Sequence, residues 1–158
     1  MDDLMVFTDG SVNTQTKVGF GAYLFVNNNE VDTEILKKEV KVKQFEQTSS
    51  TKLELQTLIW ALSELPISDA QISVYTDSQN ILSLPGRRHR LERNNYLSKN
   101  NKQISNYLLY KEFYAITDKL NCEFIKVSGH MPKYKKKEID LIFSLVDKAS
   151  RDALRKLQ

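Results

Sequence analysis

Asp9, Glu54 and Asp77 are the residues of this chain whose types and settings could do chemistry together. Asp9 and Asp77 each close a short apolar run with a Thr-Asp step, Phe7-Thr-Asp-Gly10 and Tyr75-Thr-Asp-Ser78, which predicts a carboxylate where a strand finishes and turns. Glu54 lies in Thr51-Lys-Leu-Glu-Leu-Gln-Thr57, at the opening of an amphipathic helical pattern. Carboxylates gathered at strand ends repel one another unless a cation lies between them. A metal-dependent reaction is the first expectation.

Charge points to the kind of substrate. The net charge is only +3, but Gly86 to Lys102 carries Arg87, Arg88, Arg90, Arg93, Lys99 and Lys102 against Glu92, a local excess of +5 that leaves the other residues at -2. A second basic run, Lys133-Tyr-Lys-Lys-Lys137, is expected in a loop. Either run alone reads as a solvated face. Two such runs beside a carboxylate cluster favour a polyanionic partner.

The elements that must position these groups fit one domain over residues 1–158, with 41% hydrophobic residues to build a core. No stretch approaches the roughly 18 apolar residues of a membrane span, and the N-terminus has no signal-peptide pattern. The single cysteine, Cys122, excludes an internal disulfide framework, fits a cytoplasmic setting and is expected to be packed in a strand.

Strands are expected at Leu4 to Thr8, Gly19 to Val26 and Val40 to Glu46, with turn chemistry at Gly10-Ser11-Val12-Asn13 and a polar turn around Asn27 to Asn29. Ser49-Ser-Thr51 predicts an N-cap, and Leu55, Leu58, Ile59, Leu62 and Leu65 keep helical spacing until Pro66. Gln71 to Thr76 follows as a strand reached by a crossover, then a short helix from Ser78 to Leu84 ending at Pro85-Gly86. Ile104 to Ile116 reads as a long helix, Cys122 to Val127 as the fifth strand, and Ile139 to Ala153 as a terminal helix. The expected class is α/β, a five-stranded mixed sheet, three strands antiparallel and then two parallel, flanked by helices.

Taken together, Thr8-Asp9-Gly10-Ser11, Leu53-Glu54-Leu55 with Ile59-Trp-Ala-Leu62, and Tyr75-Thr-Asp-Ser-Gln79 resemble, in order and over nearly the whole chain, the motifs of type 1 ribonuclease H. The resemblance implies the ribonuclease H-like fold and hydrolysis of the RNA strand of an RNA/DNA hybrid with two magnesium ions, manganese being a possible substitute. It also implies a monomer with no protein partner. By position, Asp9 would bridge both ions, Glu54 would serve the leaving-group ion and Asp77 the nucleophile ion. Hard oxygen ligands suit magnesium, which keeps several waters and bridges to phosphate. His130, in Val127-Ser-Gly-His130, is similar to the family's mobile-loop histidine, an aid to proton transfer and product release.

The fourth family carboxylate is where this sequence departs from the pattern. Asp140 has the expected spacing from His130, but Lys136-Lys-Glu-Ile139 and Leu141-Ile-Phe143 do not match its surroundings. Asp147 is preferred, because the small residues of Asp147-Lys-Ala-Ser-Arg151 suit close helix packing. Asn13, Ser50, Thr51 and Gln79 are expected to contact the substrate minor groove, where 2′-hydroxyls distinguish RNA. Arg87, Arg88 and Arg90 occupy the place of the family's basic protrusion, without its tryptophan-rich pattern, and are expected to grip phosphates. The alternatives are a non-catalytic nucleic-acid-binding module on the same fold and a superfamily nuclease with a DNA substrate.

Overall fold

Alternation of inward and outward residues builds the sheet and divides the core in two. In the computed structural model, which describes residues 3–27, 32–65, 69–127 and 133–157, the strands are β1 (Leu4–Asn13), β2 (Val18–Asn27), β3 (Lys41–Phe45), β4 (Gln71–Thr76) and β5 (Asn121–Lys126). The helices are α1 (Thr33–Glu39), α2 (Ser50–Ser63), α3 (Gln79–Arg93), α4 (Tyr107–Thr117) and α5 (Lys133–Leu157). The sheet order is β3-β2-β1-β4-β5. β1, β2 and β3 pair antiparallel, while β4 lies parallel to both β1 and β5. This is the mixed sheet expected.

Successive strand residues face opposite sides. Val6, Tyr23 and Val74 therefore join Leu55, Leu58, Leu84 and Phe113 on the side of α2, α3 and α4. Phe7, Ala22, Leu24 and Val26 join Leu36, Ile142 and Val146 on the side of α1 and α5. Among the described residues, no helix is long and apolar enough to cross a membrane.

Four local expectations need correction. Gly10 to Asn13 is strand, not turn; the turn is Thr14 to Lys17, where Asn13 Oδ1 accepts from Gln15 N at 2.9 Å and Thr16 N at 3.2 Å, and Lys17 takes a φ of 61°. Between β2 and β3 the chain forms α1, started by Asp32 accepting from Glu34 N at 3.0 Å and anchored by the fully buried Leu36. One anchor in seven residues is too little to register as a period.

α3 does not stop at Pro85-Gly86 but runs to Arg93. Proline removes one helical donor, and the helix continues because its second half is tied to neighbours. Leu91 buries on the same side as Leu84, Tyr114 donates its hydroxyl to Leu84 O at 2.6 Å, and Arg88 pairs with Asp118 just past α4. Finally, the backbone is helical from Lys133, so the lysine run begins α5 instead of lying in a loop.

Candidate active site

The parallel ladder between β1 and β4 ends at Phe7 opposite Tyr75, while β1 stays paired with β2 as far as Asn13. Asp9, inside β1, and Asp77, just past β4, thus stand two residues beyond the last β1–β4 pair, where the ladder between these neighbouring strands opens; the sequence placed Asp9 at a strand end, but pairing with β2 carries β1 on to Asn13. Open α/β sheets bind ligands at such crevices. Glu54 is brought in by α2, which lies very close to the sheet because three glycines face it. A Cβ on Gly10 or Gly19 would fall 2.8 Å from Leu53 Cδ2, and one on Gly21 would fall 2.0 Å from Thr57 Oγ1.

Asp9, Glu54 and Asp77 line one cleft of about 540 Å³, with Ser50, Arg151 and Arg155 at its border. A narrow pit floored by Thr8, Thr57 and Thr76 touches the same three carboxylates. From the other side of the sheet, α5 brings the Asp147 carboxyl up against Asp9. Ser150, fully buried, holds α5 in place there: its Oγ lies 3.0 Å from Asp147 O and 3.3 Å from Ser11 Oγ. Arg151 Nε pairs with Asp147 Oδ1 at 3.0 Å.

The electrostatics are those of crowded negative charge. Burial, then a hydrogen bond that the neutral Asp9 carboxyl can donate to Asp147 and the charge of Asp77, push the Asp9 carboxyl up to about 8, against a smaller opposing effect of the Gly10 N–H. The Asp9 carboxyl therefore favours its protonated form in the metal-free chain at neutral pH. Burial likewise raises Glu54, opposed by a hydrogen bond from Ser78 and reinforced by the charge of Asp77. Among the described residues, no three His, Cys, Asp or Glu side chains are gathered tightly enough to hold an ion as they stand.

The remaining expected site residues are dispersed. Asp140 lies two helical turns before Asp147, half-buried, with Oδ1 lacking a hydrogen-bond partner among the described residues. Ser50 lies on the cleft; Thr51 and Gln79 are exposed beside it in sequence and do not line it; Asn13 is occupied in its turn. Arg87 and Arg90 line a separate cleft of about 650 Å³ with Asn94, Ser98 and Lys99. Arg87 donates to Asn80 Oδ1 at 3.0 Å and lies over the Tyr110 ring. Arg88 is committed to Asp118, at 2.5 and 2.8 Å, and to Glu92 at 2.9 Å. His130 lies outside the described residues.

A family model described as RNase H matches residues 1–146. The chain belongs to the ribonuclease H family. Membership makes it a nuclease and hydrolase of the ribonuclease H type, acting on RNA/DNA hybrids. The chain is similar to the ribonuclease H of Thermoanaerobacter pseudethanolicus, at 25% identity over 132 residues, covering 82% of this chain and 80% of that protein. Similarity to the ribonuclease H of Caldanaerobacter subterraneus subsp. tengcongensis is 24% over 127 residues, covering 79% and 78%. The ribonuclease H-like fold is also found in the foamy viral protease-reverse transcriptase solved in complex with dsDNA, at a TM-score of 0.62 and 10% identity, covering 94% of this chain and 93% of that one.

Sequence reasoning passed over Ser78, Ser150 and Arg151 as parts of this ribonuclease H site. A signal existed for Arg151, which follows Asp147 by one helical turn, the spacing of an i, i+4 ion pair. The contact between Ser150 and Ser11 spans 139 positions of sequence and leaves no local trace.

Proposed function

We propose that this chain hydrolyses the RNA strand of RNA/DNA hybrids with two divalent cations held by Asp9, Glu54, Asp77 and Asp147. One observation carries the reading: Asp9, Glu54 and Asp77, carboxylates from two neighbouring strands and a helix, line one cleft, and α5 brings Asp147 up against Asp9. A carboxyl pushed up to about 8, as Asp9 is, marks a place that favours positive charge, and an all-carboxylate donor set matches a hard cation such as magnesium, with manganese as substitute. Bound ions of this kind supply Lewis acidity that activates water and offsets charge on the leaving 3′ oxygen.

The chain's own groups have the following parts. Asp9 would give up its proton to serve as a ligand. Glu54, Asp77 and Asp147 would supply the remaining carboxylate oxygens, Asp147 from α5. Ser50, which lines the cleft, hydrogen-bonds a 2′-hydroxyl across the shallow minor groove in this reading, and Thr51, Gln79 and Asn13, outside the cleft, meet the groove farther along. His130 passes protons near the leaving group. Arg87 and Arg90 grip phosphates farther along the duplex.

A cytoplasmic setting is part of the proposal: burial pushes the Cys122 thiol up to about 11, an unreactive group suited to a reducing compartment. So is action as a monomer. The test is incubation with labelled RNA/DNA, RNA/RNA and DNA/DNA duplexes in magnesium, manganese or chelator. Metal-dependent cleavage confined to the RNA of the hybrid is expected. Cleavage in chelator, or of DNA alone, would overturn the reading.

A further inference from the structure

Ser78 is buried directly after Asp77, and each of its polar groups is engaged. Its N–H donates to Thr76 Oγ1 at 3.1 Å, which closes the end of β4. Its carbonyl accepts from Leu82 N at 3.1 Å, and its Oγ accepts from Ile81 N at 3.1 Å as the N-cap of α3. The single hydroxyl proton remains, and it goes to Glu54 Oε2. An ionised carboxylate can only accept, so the one hydroxyl proton of Ser78 makes this bond while the Ile81 N–H uses one of its lone pairs.

We propose that Ser78 is a positioning residue for Glu54: by capping α3 and bonding one Glu54 oxygen at once, it holds that carboxylate in its cation-binding orientation before a cation arrives. The inference rests on the function proposed above. Glu54 sits on a helix and Asp77 on a strand end, so their carboxylates could otherwise drift independently. Free glutamate turns about three side-chain torsions, and a bond to the residue beside Asp77 removes the last of that freedom. Ser78 thus makes the spacing of two carboxylates from different elements a property of one hydroxyl. Groups that orient a metal ligand without touching the metal commonly contribute ten- to a hundredfold in affinity or activity.

The test must separate this part from plain helix capping. Glycine keeps most of the capping preference of serine but has no hydroxyl, alanine lacks both, and threonine keeps both. Manganese(II) alone is titrated into wild type, S78A, S78G and S78T by isothermal titration calorimetry, with folding checked by circular dichroism. Hybrid cleavage is then measured across magnesium concentrations. Affinity about tenfold weaker in S78A and S78G, near wild type in S78T, and a matching rise in half-saturating magnesium with kcat regained at high metal, is the expected result. A folded S78G with wild-type manganese affinity overturns the inference while leaving the proposed function standing. Should wild type bind manganese yet leave the hybrid intact while S78G loses affinity, the function fails and the positioning part is upheld; a wild type that binds no manganese overturns both.

Discussion

At Asp9 the fold and the chemistry pull in opposite directions. Its carboxyl is pushed up to about 8 from an ordinary 3.8, chiefly by burial and then by Asp147 and Asp77. Between those two values the folded chain holds a proton that the unfolded chain has released. Stability of the metal-free protein therefore falls as pH rises from about 4 towards 8, the penalty being complete above the folded value. Asp9→Asn removes the penalty, and urea unfolding in chelator should show a gain of about 2 kcal/mol at pH 8, vanishing near pH 4, alongside loss of cleavage. A pH-independent effect would mean that Asp9 is not protonated in the fold. At the fourth carboxylate, Asp147→Asn should lower magnesium-dependent cleavage by at least about a hundredfold, since Asp147 touches Asp9. Asp140→Asn should stay within a few fold. The reverse pattern would move the fourth ligand to Asp140.

Two helices and a strip of glycine decide whether those residues meet. α2 rests on Gly10, Gly19 and Gly21 through Leu53, just before Glu54, and Thr57, three residues after it. Gly21→Ala would place a methyl 2.0 Å from Thr57 Oγ1 and 2.9 Å from Thr57 Cβ, so it should push α2 off the sheet and cost about 3 kcal/mol in chemical unfolding. Thr57→Ala should restore part of that, because the Oγ1 clash goes and the Cβ contact stays. Additive losses in the double variant would show that α2 does not press on Gly21. The helix itself was readable, since Leu55, Leu58 and Leu62 repeat at helical spacing and bury on one side. Its closeness to the sheet was not read, although Gly19 and Gly21 stand two apart on one face of β2. α3 was cut short at Pro85 because a proline is a local signal, whereas the contacts of Leu91, Arg88 and Tyr114 that carry the helix onward are tertiary. The mixed sheet was legible for the opposite reason: Leu4 to Thr8 and Gln71 to Thr76 are short apolar runs, the second entered after a helix, and burial on the sheet's two faces follows their sequence locally.

Among the described residues, the site carboxylates and Arg87 and Arg90 of α3 occupy different clefts. The carboxylate cleft shares no lining residue with the cleft bordered by Arg87, Arg90 and Lys99. A duplex gripped at the second and cut at the first would separate affinity from chemistry. Replacing Arg87, Arg90 and Lys99 together by alanine should raise KM for the hybrid on the order of tenfold near physiological salt, and reduce the dependence of log KM on log salt by about 2, while kcat at saturation stays within a few fold. Arg88 belongs to the same run of sequence but not to the same cleft, because its guanidinium is spent on Asp118 and Glu92 and lies over Tyr114. Arg88→Ala should therefore lower the unfolding midpoint and leave the salt dependence of KM alone. If the triple variant keeps the wild-type salt slope while Arg88→Ala loses it, the hybrid runs past the other side of α3, and the second cleft has no part in holding it.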